Sequence, residues 1–286
     1  MKTILVTVLL LMTTSLFAQK PIELPLWPNG APNSNGQTGE EKDGEDGRVS
    51  NIIVPDITVY RAEKPNGIAI IMCPGGGYSR LAMNHEGYDM AAWFNTQGIT
   101  YIVLKYRMPN GHNDVPLSDA EQAIRLVRQH ATEWNIQTDK IGIMGASAGG
   151  HLASTLATHY SNKETRPDFQ ILLYPVITMD ATYTHTGSRE NLITKSPAPE
   201  LVKKYSNELQ VTSETPQAFI ALSSDDKTVP PENSVNYYLA LLKNKVPATL
   251  HIYPTGGHGW GFRDNFVYKR QWTEELEKWL RDGVKL

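Results

Sequence analysis

The segment Gly145-Ala146-Ser147-Ala148-Gly149, followed at once by Gly150, constrains this chain more than any other. An apolar run with Ile141, Ile143 and Met144 leads into it, and His151, Leu152, Ala153 and Ser154 continue it as a helix-forming run. A serine in that setting sits on a sharp, strained turn between a strand and a helix, its hydroxyl exposed at the top of a sheet. Such a turn draws the strand and the helix together, so only small residues fit two positions to either side. As a bare pattern, Gly-x-Ser-x-Gly arises by chance in ~10% of chains this long. The strand before it and the helix after it give the match its meaning.

The remaining sequence supplies the sheet that such a turn needs. Residues 57–62, 68–73, 99–106, 140–146, 169–175, 218–223 and 249–253 read as strands, and 88–97, 148–160, 235–243 and 265–281 as helices. A further helix opens at Ser118, where Glu121 completes a capping box. Ala120, Ile124, Val127, Ala131 and Trp134 then fall on one face at helical spacing. This alternation predicts an α/β fold, a mostly parallel, doubly wound sheet with helices on both faces. We expect one such domain over residues 51–286, with an insertion at 178–215 that carries Pro197 and Pro199 and partly covers the site. Residues 19–50, rich in Pro, Gly and Asn, read as an irregular arm over the domain. The only cysteine, Cys73, ends an apolar run and packs as a small hydrophobe.

Composition and charge exclude several functions. With 27 Lys and Arg against 30 Asp and Glu, the net charge of −3 offers no basic field to nucleic acid. Lys2, an apolar stretch at 4–12 and the small polar residues before Ala18 read as a signal peptide over residues 1–18, which places the protein in the periplasm or outside the cell. That stretch is too short to span a bilayer, so no membrane anchor is expected. Asp43, Glu45 and Asp46 lack the distal glutamate of a calcium loop and read as a solvated turn, so no metal site is expected.

A serine hydroxyl attacks only when a base takes its proton. In this topology the partners follow in the order serine, acid, histidine. The strand at 218–223 leads into Asp225 and Asp226, and spacing alone leaves both open as the acid. Of eight histidines, His258, in a glycine-rich loop after the next strand, has the right order and setting. His130, His159 and His185 fall on helix surfaces or loops, and His151 lies too close along the helix to swing onto Ser147. Donors for a developing oxyanion are expected from the backbone N–H of Gly76 or Gly77, in Pro74-Gly75-Gly76-Gly77-Tyr78, together with that of Ala148. A phosphate-cradling reading of that loop fails because no Lys-Ser/Thr follows. Tyr78, His85, Glu86, Arg107, His151 and Trp260 sit on loops expected to border the pocket as substrate-binding groups. The sequence equally supports His85, Glu86 and Arg107 as a hydrogen-bonded cluster that props the donor loop.

Taken together, Pro74 to Tyr78, Asn84-His85-Glu86-Gly87, the run Val103 to Pro109, Gly145 to His151, Asp226 to Pro230 and Gly257-His258-Gly259 resemble the secreted bacterial α/β-hydrolases that include acetylxylan esterases. The resemblance runs from about residue 27 to the C-terminus. It implies that Asp226, four residues before the proline of Val229-Pro230, is the acid rather than Asp225. It further implies removal of acetyl groups from xylan or xylo-oligosaccharides, with an acetylated carbohydrate as partner and no metal or organic cofactor. Pro74 stands where lipases of this fold carry a histidine, which separates the chain from lipid esterases. The residues alone reach only ester hydrolysis. Rival readings are a general carboxylesterase or peptidase of the same fold, or a non-catalytic carbohydrate-binding relative. A glycoside hydrolase needs two carboxylates flanking a cleft, and adjacent Asp225 and Asp226 do not make such a pair.

Overall fold

Strands that are apolar at every position need cover on both faces, and that requirement organises the molecule. A computed structural model describes residues 20–284; the expected signal peptide at 1–18 lies outside the described residues. The strands are β1 (Ile22–Pro25), β2 (Lys42–Asp43), β3 (Arg48–Ser50), β4 (Asp56–Tyr60), β5 (Ala69–Cys73), β6 (Leu81–Ala82), β7 (Thr100–Lys105), β8 (Ile141–Ala146), β9 (Phe169–Leu173), β10 (Ala218–Ser223) and β11 (Ala248–Tyr253). The helices are α1 (Ala91–Thr96), α2 (Val115–Gln129), α3 (Ala148–His159), α4 (Thr186–Ile193), α5 (Pro199–Tyr205), α6 (Glu232–Lys243) and α7 (Lys269–Gly283). β5, β8, β9 and β10 are buried at every residue, Cys73 among them.

The main sheet has eight strands in the order β1-β4-β7-β5-β8-β9-β10-β11. From β7 to β11 neighbouring strands are parallel, while β4 pairs antiparallel with both β7 and β1. This is the α/β-hydrolase fold. The chain leaves β5 to form β7 on one side and returns to form β8 on the other. Such a reversal opens a crevice at the carboxyl ends of the two central strands, and ligands of open α/β sheets bind there.

The structure departs from the sequence reading in three places. The N-terminal arm is not irregular throughout. β1 adds to the edge of the main sheet, where Pro25 costs no ladder bond, and β2, β3 and β6 make a separate small sheet. The arm is fastened by a buried ion pair: the Arg107 guanidinium donates to Asp119 at 2.6 Å and to the Asn33 carbonyl at 2.8 Å, and Trp27 Nε1 donates to Asp119 at 2.7 Å. Secondly, α2 starts at Val115, a turn before Ser118, because Pro116 suits the first turn of a helix. Ser118 therefore caps nothing; its hydroxyl donates to Val115 O and to Asn33 Oδ1, and Glu121 accepts from Ser161. Lastly, α7 begins at Lys269 rather than 265.

The insertion contributes α4 and α5 and docks on α3 through a polar cluster. His151, wholly buried on α3, faces the Tyr205 carbonyl with Nε2 at 2.8 Å and the Tyr78 hydroxyl with Nδ1 at 2.9 Å. A carbonyl only accepts, so Nε2 carries the proton and Nδ1 accepts from Tyr78. The Asn207 amide donates to Ser154 Oγ at 2.8 Å and Thr155 Oγ1 at 3.0 Å. Burial holds the His151 ring neutral and pushes its pKa from 6.5 down to about 4. On acidification the unfolded chain therefore takes up this proton first. The stability supplied by the neutral ring is complete above pH 6.5 and is lost as the pH falls towards 4. We expect denaturant unfolding between pH 7 and 4 to show an acid loss that is about 2–3 kcal/mol smaller in His151→Gln than in the wild type. Equal losses in both proteins would remove His151 as the source.

Candidate active site

Ser147 is the first residue after β8 and the last before α3, and its backbone holds φ 54° and ψ −121°. A non-glycine residue in so sparsely populated a region costs on the order of 1–3 kcal/mol, and its surroundings must over-determine it. They do: Ser147 N donates to the Leu173 carbonyl at 3.0 Å, and the Ser147 carbonyl accepts from Val176 N at 3.0 Å and His151 N at 3.1 Å. The flanking glycines permit the close approach. A Cβ on Gly145 would strike the Gly149 carbonyl, and one on Gly149 would strike the carbonyls of Cys73 and Pro74.

The sheet brings the other two members of the expected set to this turn. β10 and β11 are parallel neighbours, with Ser223 opposite Tyr253, so the loops that follow them lie side by side. His258 Nε2 lies 2.8 Å from Ser147 Oγ, and His258 Nδ1 lies 2.6 Å from Asp226 Oδ2. Asp226 Oδ1 is held by the N–H groups of Thr228 and Val229, each at 2.9 Å. A carboxylate only accepts, so the proton of the neutral ring sits on Nδ1 and the bare Nε2 faces the serine hydroxyl. Asp225 is engaged elsewhere. Its Oδ1 accepts from Gly257 N at 2.8 Å and so steadies the histidine loop. Geometry thus separates the two aspartates that spacing left open.

The donor loop follows β5. Gly76 and Gly77 line the cavity with positive φ of 138° and 67°. Among the described residues, the N–H groups of Gly76, Gly77 and Ala148 donate to no protein acceptor. Gly75 N instead donates to Glu86 Oε2 at 2.9 Å. Glu86 Oε1 accepts from the Tyr174 hydroxyl at 2.8 Å, and that hydroxyl accepts from Gly261 N at 2.7 Å. The Tyr174 ring also packs edge-on against His258, with centroids 4.9 Å apart. Burial pushes the Glu86 pKa upward, against its hydrogen bonds and the nearby His258.

The cavity above Ser147 has a volume of about 750 Å³. Of the residues expected to border it, His85, Glu86 and Trp260 do, while Tyr78, Arg107 and His151 do not. Arg107 is committed to Asp119 and Asn33 and fastens the arm. Tyr78 and His151 are committed to each other beneath the donor loop. Trp260 is only 3% exposed, stacked on Phe266 at 4.3 Å with its Nε1 donating to Ser223 Oγ at 3.1 Å. Glu86 supports the donor loop, as the cluster reading anticipates, but Arg107 is not part of that cluster.

Two residues escaped the sequence reading. Tyr174 is one; its partners lie 88 and 87 positions away, beyond the reach of any local pattern. His185 is the other. It belongs to the insertion, caps α4 by accepting from Ser188 N at 3.2 Å, and lines the cavity, where burial and the neighbouring His258 lower its pKa. From the same helix, Asn191 donates to the Gly77 carbonyl at 2.8 Å. The insertion therefore touches the donor loop directly.

Comparison with known proteins places this geometry in a family. The BD-FAE profile matches residues 56–241. Over 226 residues the chain is 45% identical to an acetylxylan esterase of Xylanibacter ruminicola, covering 78% of this chain and 47% of that protein. It is 37% identical over 204 residues to the endo-1,4-beta-xylanase B of Butyrivibrio fibrisolvens, covering 66% of this chain and 32% of that protein. The chain thus spans half or less of the length of these curated relatives. Among solved structures, an acetyl ester-xyloside bifunctional hydrolase from Caldicellulosiruptor lactoaceticus superposes with a TM-score of 0.78 at 38% identity, covering 93% of this chain and 97% of that one. A profile that runs from β4 into α6, and a solved relative matched over nearly its whole length, establish that the chain belongs to the BD-FAE family and shares the α/β-hydrolase fold.

Proposed function

We propose that this chain is a serine esterase that removes acetyl groups from xylan or xylo-oligosaccharides. The chemistry rests on one observation: Nε2 of His258 lies 2.8 Å from Ser147 Oγ while Asp226 Oδ2 lies 2.6 Å from the opposite ring nitrogen. The choice of substrate is supported by relatives named for acetylxylan and xylan, and by a related structure described as an acetyl ester-xyloside hydrolase.

In this mechanism Ser147 Oγ attacks the acetyl carbonyl as its proton passes to His258 Nε2. The imidazolium so formed faces the Asp226 carboxylate, which stabilises its charge. The oxygen of the tetrahedral intermediate turns to the N–H groups of Gly76 or Gly77 and of Ala148, which have no protein acceptor to give up. Collapse of the intermediate breaks the ester bond, and the departing sugar hydroxyl takes the proton back from Nε2. Water, deprotonated by His258, then attacks the acyl-serine and releases acetate. Glu86 and Tyr174 act as positioning residues, keeping the donor loop and the histidine loop in register.

A polymeric substrate has to be met outside the cytoplasm. Lys2 and the apolar stretch at 4–12 support a role for residues 1–18 as an export signal. Intact-mass measurement of the exported protein should return a chain starting near residue 19; a full-length mass in that fraction would end this reading.

Acetate release from acetylated xylan and from 4-nitrophenyl acetate tests the core of the proposal. Ser147→Ala is expected to lower kcat on the order of 10⁶-fold. Asp226→Asn should cost about 10⁴-fold through the wrong ring tautomer, and Asp225→Asn far less. Release that survives in Ser147→Ala would overturn the reading. Tyr174→Phe removes the hydroxyl shared by Glu86 and Gly261. It should cost about 1–3 kcal/mol of stability and lower kcat with little change in KM; an unchanged melting temperature and kcat would show that this tether does nothing.

A further inference from the structure

The charge around the cavity is one-sided. Arg48, Arg80 and Arg263 all line it, and among the described residues Glu86 is the only acidic side chain that does. Glu86 is 3% exposed and already accepts from Gly75 and Tyr174, so it is not available to neutralise a guanidinium at the mouth. The three arginines come from separate segments: Arg48 opens β3, Arg80 precedes β6, and Arg263 lies on the loop after His258. The pairing of β3 with β6 sets Arg48 opposite Ala82, which brings Arg48 and Arg80 to one edge of the cavity.

Two arginines outside the cavity are paired with carboxylates, Arg107 with Asp119 at 2.6 Å and Arg128 with Asp168 at 3.4 Å. Among the described residues, Arg80 and Arg263 at the cavity meet no carboxylate. Arg263 is held by a ring nitrogen, His85 Nδ1, at 3.2 Å. A guanidinium only donates, so Nδ1 accepts and the imidazole is neutral. Burial, and after it the charges of Arg263 and Arg48, push the His85 pKa down to about 4, which keeps that partner uncharged at neutral pH. Arg263 is thereby oriented without being neutralised. The exposed Arg80 side chain has no ion-pair or hydrogen-bond partner among the described residues. Arg48 meets Asp46 at 3.4 Å, which offsets part of its charge, so Arg80 and Arg263 supply the unpaired positive charge of the cavity.

A cleft lined by one sign of charge concentrates ligands of the other sign. The guanidinium fork matches a planar carboxylate in two-point hydrogen bonding. The acetyl group is uncharged and two carbons long. Bound at Ser147, itself 6% exposed, it carries no charged group for a guanidinium to pair with. A carboxylate that meets those arginines therefore belongs to the alcohol portion of the ester.

We propose that this cavity selects esters whose sugar portion carries a carboxylate, namely acetylated oligosaccharides bearing a uronic-acid residue, and that Arg48, Arg80 and Arg263 receive that carboxylate. The proposal rests on the esterase reading of Ser147 and narrows its substrate. Acetate release is measured from an acetylated xylo-oligosaccharide with a glucuronic-acid branch, and from the same compound with the branch carboxyl reduced to the alcohol. The kcat/KM ratio is expected to favour the charged compound by about tenfold or more at low ionic strength, and to shrink towards unity in 1 M salt. Arg48→Gln, Arg80→Gln and Arg263→Gln should each lower that ratio severalfold. The ratio is internal to each variant, so a general loss of activity does not move it; should one variant fail to fold, the other two and the salt dependence decide. A wild-type ratio of one, with 4-nitrophenyl acetate hydrolysed normally, overturns this inference and leaves the esterase reading standing. Failure of the wild type on every ester overturns the esterase reading itself. A preference seen only for 4-nitrophenyl hemisuccinate over the acetate puts the charge on the acyl side and overturns the assignment to the sugar.

Discussion

A single buried carboxylate joins the loops on which the site depends. Glu86 accepts one hydrogen bond from the donor loop at Gly75 and one from Tyr174, and the same tyrosine hydroxyl accepts from Gly261 behind His258. Burying a carboxylate is costly, and here burial pushes the pKa upward while the two donors and the nearby His258 oppose it. That balance makes the arrangement demanding, because each partner lost leaves a buried polar group unsatisfied. The donor loop and the histidine loop are consequently not free to move apart. Their separation is what a tetrahedral intermediate at Ser147 would experience.

Strain and close packing act alongside this network. Ser147 holds a backbone conformation that few non-glycine residues adopt, and the bonds to Leu173, Val176 and His151 keep it there. Gly145 and Gly149 allow the β8 and α3 backbones to approach at a distance that a single added methyl would forbid. The reversal of strand order around β5 then sets the Gly75–Gly77 loop beside this turn. Two further clusters brace the outside. Arg107 with Asp119 fastens the N-terminal arm, and His151 with Tyr205 fastens the insertion that carries His185 and Asn191 to the cavity.

The residues that carry the proposed chemistry were readable because they lie in short, self-contained patterns. Glycines around Ser147 and His258 mark turns, and the hydrophobic runs before them mark strands whose carboxyl ends must converge in a parallel sheet. The polar residues beside those patterns were harder. Tyr78, Arg107 and His151 sit next to motif residues in sequence, yet they are turned into the protein and occupied by partners 73, 12 and 54 positions away. Proximity along the chain does not report which way a side chain points, so a pocket position expected from sequence does not hold for these three. Tyr174 and His185 were missed for the converse reason: nothing near them in sequence hints at the distant groups they meet.

By itself, the sequence determined the alternation of strands and helices, the strained serine turn and the order of serine, acid and histidine. These depend on local backbone chemistry and on periodic burial, both of which are written into a few adjacent residues. The fold sets Asp226 against His258, as the family resemblance implies, ties the donor and histidine loops together through Glu86 and Tyr174, and gathers Arg48, Arg80 and Arg263 at one cavity, where Arg80 and Arg263 meet no carboxylate. Each of these depends on contacts between segments far apart in the chain. A hydrogen bond of 2.6–2.9 Å or a focused charge exists only once the sheet has closed the distance.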